Sequence, residues 1–165
     1  MTEQIARFFG TLPKELVTSL IAMVPIAELR GAIPWALLDL PLGGGLNWPA
    51  AYFFAVVGNL IPIAPLLLGI EKLQLWLRKY RLFDIFFDWL FKRTRRRGKV
   101  IEKYKALGLI VFVGIPLPVT GAWTGVVAAF LFGIPFRLAF PAIIAGVLLS
   151  GIIVTLLSLG VFTLF

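Results

Sequence analysis

The 165-residue sequence predicts an all-α membrane protein made of two inverted repeats, each a re-entrant helical hairpin plus one transmembrane helix, joined by a basic interfacial helix. Three observations carry that expectation. Hydrophobic residues make up 60% of the chain and charged residues only 15%. A soluble domain of this size buries about two-thirds of its unfolded surface, too little to hide so much apolar side chain, so the solvent it fits is lipid. Second, four apolar stretches occur, at residues 16–38, 48–70, 106–132 and 136–165, each long enough to cross a hydrocarbon core of about 30 Å at roughly 1.5 Å per residue. Third, the first and third stretches are broken in the middle, whereas the second and fourth read as plain spans.

In the first stretch the apolar run meets Pro25, then Glu28, Arg30 and Gly31, then Pro34. In the third it meets Pro116 and Pro118, then Thr120, Gly121, Trp123 and Thr124. Proline removes a backbone donor and clashes with the preceding turn, and glycine tolerates backbone angles other residues avoid. Each broken stretch is therefore read as two half-helices of about 9 to 12 residues, their freed backbone groups buried in protein or lining a wet cavity. A re-entrant hairpin followed by one crossing inverts the second repeat relative to the first. Two kinked but complete spans are the competing topology. Inverted repeats with broken helices are a recurrent transporter plan, with the site near the midplane.

Trp48 and Tyr52 sit where aromatic belts favour the interface, and Pro49 and Pro135 stand near the starts of the plain spans. One transmembrane domain is expected, with repeat one at 12–70, a cytoplasmic basic amphipathic segment at 71–105, and repeat two at 106–165. Twelve of the sixteen Lys and Arg residues fall between Lys72 and Lys105, which makes that side cytoplasmic and, with re-entrant hairpins, places both termini outside. The cluster Lys92, Arg93, Arg95, Arg96 and Arg97 is expected to meet anionic lipid head groups rather than nucleic acid. No cleavable signal peptide is expected, because the first apolar stretch carries Glu28 and Arg30 and lacks a small-residue cleavage pattern. Association with further copies of the chain stays open.

Cysteine and histidine are both absent. Disulfides, thiolate or imidazole metal sites and the commonest general base are thereby excluded, and neither a cofactor, a metal nor an enzyme is expected. The chemistry that remains lies at the breaks. Glu28 and Arg30 are the ionisable pair inside the apolar stretches, and such groups mark function by default. Two residues apart, they face away from each other on a helix but can converge at a turn. One reading makes them an ion pair that only closes the hairpin tip. The other has Arg30 hold an anion while Glu28, released from it, takes up a proton, so that anion and proton bind together. The second break offers backbone N–H groups at a half-helix start, with Thr120 expected as the cap and Thr124 one turn later. Trp123 would pack on an apolar substrate or simply on the protein. Asn59 and Ser150 lie within the plain spans and could complete a polar site, Asn59 more simply through an interhelical hydrogen bond. Gly58, Gly146 and Gly151 read as close-approach positions.

The strings Pro25-Ile26-Ala27-Glu28-Leu29-Arg30-Gly31-Ala32-Ile33-Pro34, Gly58-Asn59-Leu60-Ile61-Pro62 and Gly114-Ile115-Pro116-Leu117-Pro118-Val119-Thr120-Gly121-Ala122-Trp123-Thr124-Gly125 resemble the small multidrug export protein family. The resemblance implies a bacterial or archaeal inner-membrane, multi-pass protein. That family is in turn similar in plan to the DedA family, whose members have two opposed re-entrant hairpins and are implicated in moving polyprenyl-phosphate and other lipids between leaflets. The likeness implies that Glu28 stands for the acidic group at the first hairpin. The arginines of the second hairpin have no counterpart here; Arg137 lies beyond it, so Arg30 and backbone N–H groups would do their work.

Overall fold

The computed structural model describes residues 12–39, 43–77, 92, 105–117 and 120–164. Every regular element among them is helical: α1 (Lys14–Met23), α2 (Glu28–Leu37), α3 (Trp48–Leu60), α4 (Ile63–Leu77), α5 (Ala106–Gly114), α6 (Ala122–Leu131) and α7 (Phe136–Leu164). The expected interfacial helix and its basic cluster, apart from exposed Lys92, lie outside the described residues, as does Pro118. The chain forms two compact units. One holds α1, α2, α3 as far as Asn59, and α7 from Gly151; the other holds α4, α5, α6 and α7 as far as Ser150.

Both breaks fall where proline and glycine placed them. α1 and α2 are 10 residues each, α5 is 9 and α6 is 10. In the first unit α1 ends as Val24 turns extended ahead of Pro25, and α2 packs along α1 with Leu29, Ala32, Ile33 and Ala36 buried. Pro34 sits inside α2 and has no N–H for the Arg30 carbonyl four residues back. The orphan carbonyls at the end of α2 are met by a glycine-rich turn that folds back on it. Gly44 N–H donates to Trp35, Gly45 N–H to Leu38 and Leu46 N–H to Ala36, at 2.8–2.9 Å. Only glycine fits this turn: a Cβ on Gly43 would lie 2.3 Å from Leu38 Cβ, and Gly45 has φ +63°. Asn47 then opens α3, its Oδ1 accepting the Ala50 N–H at 3.1 Å.

α3 crosses α1 at very short range. A Cβ on Gly58 would lie 2.3 Å from the Ser19 carbonyl oxygen and 2.5 Å from its Cα. One turn earlier on α3, the Phe54 carbonyl accepts the Ser19 hydroxyl at 2.9 Å. Small residues let two backbones approach, and a hydroxyl then bonds across the gap, which is how helices associate where no hydrophobic effect acts between them. The C-terminal part of α7 contributes Gly151, whose Cα faces the Tyr52 ring.

In the second unit α5 and α4 each pack on α6. Gly125 faces Val113, and Gly146 faces Val113 and the Ile110 carbonyl, so the close approaches expected at Gly58, Gly146 and Gly151 are all present. α6 stops at a left-handed Gly133 (φ +60°), with Ile134 N–H reaching back to Ala129 and Gly133 N–H to Phe130. Pro135 then prevents continuation, and α7 begins at Phe136.

Two helices among the described residues are long and apolar enough to cross a membrane, Trp48–Ile70 (23 residues) and Phe136–Gly160 (25 residues). The first is not the plain span expected of it. A two-residue turn at Ile61–Pro62 divides it into α3 and α4, because Pro62 and Pro65 withhold two donors from the helical ladder. Both carry bare apolar surface: Phe53, Leu68, Leu156 and Leu157 are each about 60–70% exposed. Rows of large aliphatic side chains facing outward suit lipid rather than water.

Candidate functional site: a buried carboxylate at the first break

The residues between α1 and α2 form one wide turn in which Glu28 N–H donates to the Val24 carbonyl (3.0 Å) and Gly31 N–H to Ala27 (2.9 Å). Glu28 closes this turn with φ +45°, in the left-handed region that glycine and asparagine normally occupy. The conformation has a direct consequence. In a regular helix residues two apart point away from each other, whereas here Arg30 Nη2 lies 3.6 Å from Glu28 Oε2. The turn thus brings together the two charges that the sequence singled out. Their environments differ: the Glu28 side chain is 6% exposed and the Arg30 side chain 27%. At 3.6 Å the contact is an ion pair longer than the roughly 2.7–2.9 Å of a direct charge-assisted hydrogen bond. Arg30 is the accessible partner, and Glu28 is the buried one.

Asn59 is 1% exposed and donates from Nδ2 to the Ala22 carbonyl at 3.3 Å, the interhelical bond expected of it. Ser19 was not legible as part of this polar seam. The signal available was the Thr18-Ser19 pair inside an otherwise apolar run, and both side chains are buried.

The second break differs from expectation at Thr120. Its hydroxyl does not cap α6. Oγ1 accepts the Leu117 N–H at 3.1 Å and lies 2.9 Å from the Ile115 and Leu117 carbonyls, so it ties the loop back toward the end of α5. Gly121 takes the cap position in an extended conformation with no side-chain cap bond. The physical reason is competition: a loop that follows Ile115-Pro116-Leu117 has its own orphan carbonyls, and a threonine hydroxyl reaches them more readily than the next helix. Thr124 bonds back to the Gly121 carbonyl at 3.1 Å, and Trp123 is half-buried. Ser150 is buried in α7. Glu28, Arg30 and Asn59 belong to the first unit, Thr120, Trp123 and Thr124 to the second. No three His, Cys, Asp or Glu side chains among the described residues come together as a metal site.

Long apolar helices with outward-facing aliphatic residues, and a buried carboxylate answered by an arginine at a broken helix, define an α-helical membrane protein with a charged site inside its apolar segments. Residues 28–153 match the family described as "Putative small multi-drug export protein", and the chain belongs to that family. No curated protein and no solved structure matches it.

Proposed function

We propose that this chain is a proton-linked transporter of the inner membrane that moves an amphipathic or lipid-like substrate. The single observation that carries the reading is the Glu28–Arg30 pair, with its buried carboxylate and more accessible guanidinium. A substrate anion approaches Arg30, the exposed partner, and its planar fork grips phosphate or carboxylate. Glu28 then loses its counter-charge while it stays buried, and protonation restores neutrality. Anion and proton bind together, which is the coupling that proton-driven movement requires. The family description supports export, and in this reading Thr120, Trp123 and Thr124 at the second break are a second polar locus.

The same reading includes the inverted-repeat plan. Helices of 9 or 10 residues span about 15 Å, half the hydrocarbon core, and within each broken stretch the two half-helices pack on each other. Each unit also lodges a glycine of a longer helix against the first half-helix of its break, Gly58 against Ser19 and Gly146 against Val113. Two re-entrant hairpins then leave both termini outside and residues 71–105 in the cytoplasm, with the basic cluster on anionic head groups. An alkaline phosphatase fused after Phe165 is expected to be active. A fusion active only as a cytoplasmic reporter would replace the hairpins with complete spans or reverse the orientation.

The transport reading is tested in liposomes of the purified protein, comparing polyprenyl-phosphate with cationic drugs, each with and without a proton gradient. Gradient-dependent movement of one class is the expected result. A second reading, in which the pair is a folding device, is favoured by one fact: Glu28 and Arg30 answer each other inside a single turn. Stable insertion with no transport of either class would leave that reading in place.

A further inference from the structure

The end of α1, which leads into the turn of the charged pair, carries carbonyl groups that the proposed transport does not use. α1 ends at Met23, and its closing hydrogen bond runs from Val24 N–H to Ile21; the next main-chain donor, Glu28 N–H, goes to Val24. The Ala22 and Met23 carbonyls therefore receive no main-chain hydrogen bond among the described residues. They are the negative end of the α1 dipole. The Asn59 amide is fixed at this end by its 3.3 Å bond to the Ala22 carbonyl. Its Oδ1 is fully buried and has no hydrogen-bond donor among the described residues. Exchanging the amide nitrogen and oxygen does not relieve this, because it would set two acceptors against each other.

We infer that the C-terminal end of α1 and the Asn59 amide oxygen form a binding site for a monovalent cation of the sodium type. A buried acceptor without a donor is unfavourable; a water donates to two acceptors at most, whereas a cation answers several at once. The donor set decides which cation. Neutral oxygens without thiolate or imidazole do not select soft or borderline metals. Calcium and magnesium draw on carboxylates, and the nearest carboxylate in sequence, Glu28, already faces Arg30 at 3.6 Å. What remains is a single positive charge held by carbonyl dipoles and a helix C-terminus, an arrangement membrane proteins use where helices break. The inference stands whether or not the chain moves a substrate.

The test is thermal unfolding of the purified full-length protein in detergent, with sodium chloride replaced by choline chloride at constant ionic strength. A ligand that binds only the folded state raises the unfolding temperature with concentration, so a saturable rise with sodium is expected. Asn59→Leu should remove that dependence. Asn59→Asp places a full charge at the same atom and should lower the half-saturating sodium concentration by roughly tenfold, corresponding to a modest gain in binding. Equal unfolding temperatures in sodium and choline for the unaltered chain would overturn the site and leave a buried water as the partner of Asn59. A folded Asn59→Leu that keeps the sodium response would overturn it as well. Should Asn59→Leu fail to fold, an unchanged half-saturation in Asn59→Asp decides against the site.

Discussion

Replacing Glu28 with glutamine is expected to abolish proton-driven accumulation while substrate binding survives. The substitution keeps the size of the side chain and its acceptor oxygen but removes its charge and its ability to exchange a proton. In the structure that side chain is 6% exposed and sits 3.6 Å from Arg30, so Glu28→Gln also removes a negative charge from beside the arginine. Breaking a buried pair from one side costs about 3–5 kcal/mol, a large part of a typical folding free energy. Arg30 is 27% exposed and reaches its surroundings more readily, so the cost here should fall toward the low end of that range. Loss of transport therefore counts only beside measured abundance and thermal stability. Arg30→Lys keeps the charge, loses the planar fork, and should weaken binding of a phosphate or carboxylate while leaving cationic compounds unaffected. The double exchange, Glu28→Arg with Arg30→Glu, separates the two readings. A pair that merely braces the turn tolerates the exchange in abundance and stability, whereas a coupling pair loses all transport. Full transport by well-folded Glu28→Gln would reject the proton linkage.

Gly58→Leu should give a protein that fails to accumulate in the membrane, and Gly58→Ala one destabilised by about 2 kcal/mol, within the usual range for overpacking. The added Cβ would lie 2.3–2.8 Å from backbone atoms of Ser19. Backbone cannot rotate aside as a flexible side chain can, so α1 and α3 must separate. Separation stretches the Ser19 to Phe54 hydrogen bond and the Asn59 to Ala22 bond together. Gly69→Ala is the control, since nothing lies within 4 Å of the added atom and alanine favours the helix. Unfolding in a mild detergent, followed by circular dichroism, reads both. Equal stability for Gly58→Ala and Gly69→Ala would show that the α1–α3 crossing is not tight in the membrane.

Much of the architecture was legible because it depends on chemistry local to the chain. A proline lacks its N–H whatever surrounds it, so Pro25 and Pro116 end α1 and α5 within a residue or two of themselves. The apolar excess likewise determined the solvent. The close-approach glycines were recognisable as a class, since a helix interior holds glycine at a cost that packing usually explains. Pro62 carries the same local signal, and the turn at Ile61–Pro62 is legible from the sequence in the same way.

The remaining features depend on partners far apart in sequence or on a choice between competing bonds. Glu28 and Arg30 face apart in a helix and together in a turn, and only the left-handed backbone at Glu28 decides between them. Thr120 had two sets of orphan groups within reach, and the carbonyls of Ile115 and Leu117 took its hydroxyl from the next helix. The partner of Gly58 is Ser19, 39 positions earlier, and no local pattern in either segment names the other. Composition and proline positions by themselves determined that this chain is a membrane protein of broken helices. Which polar groups meet was decided by the tertiary structure, because a hydrogen bond or an ion pair depends on angstroms of approach that no single segment contains.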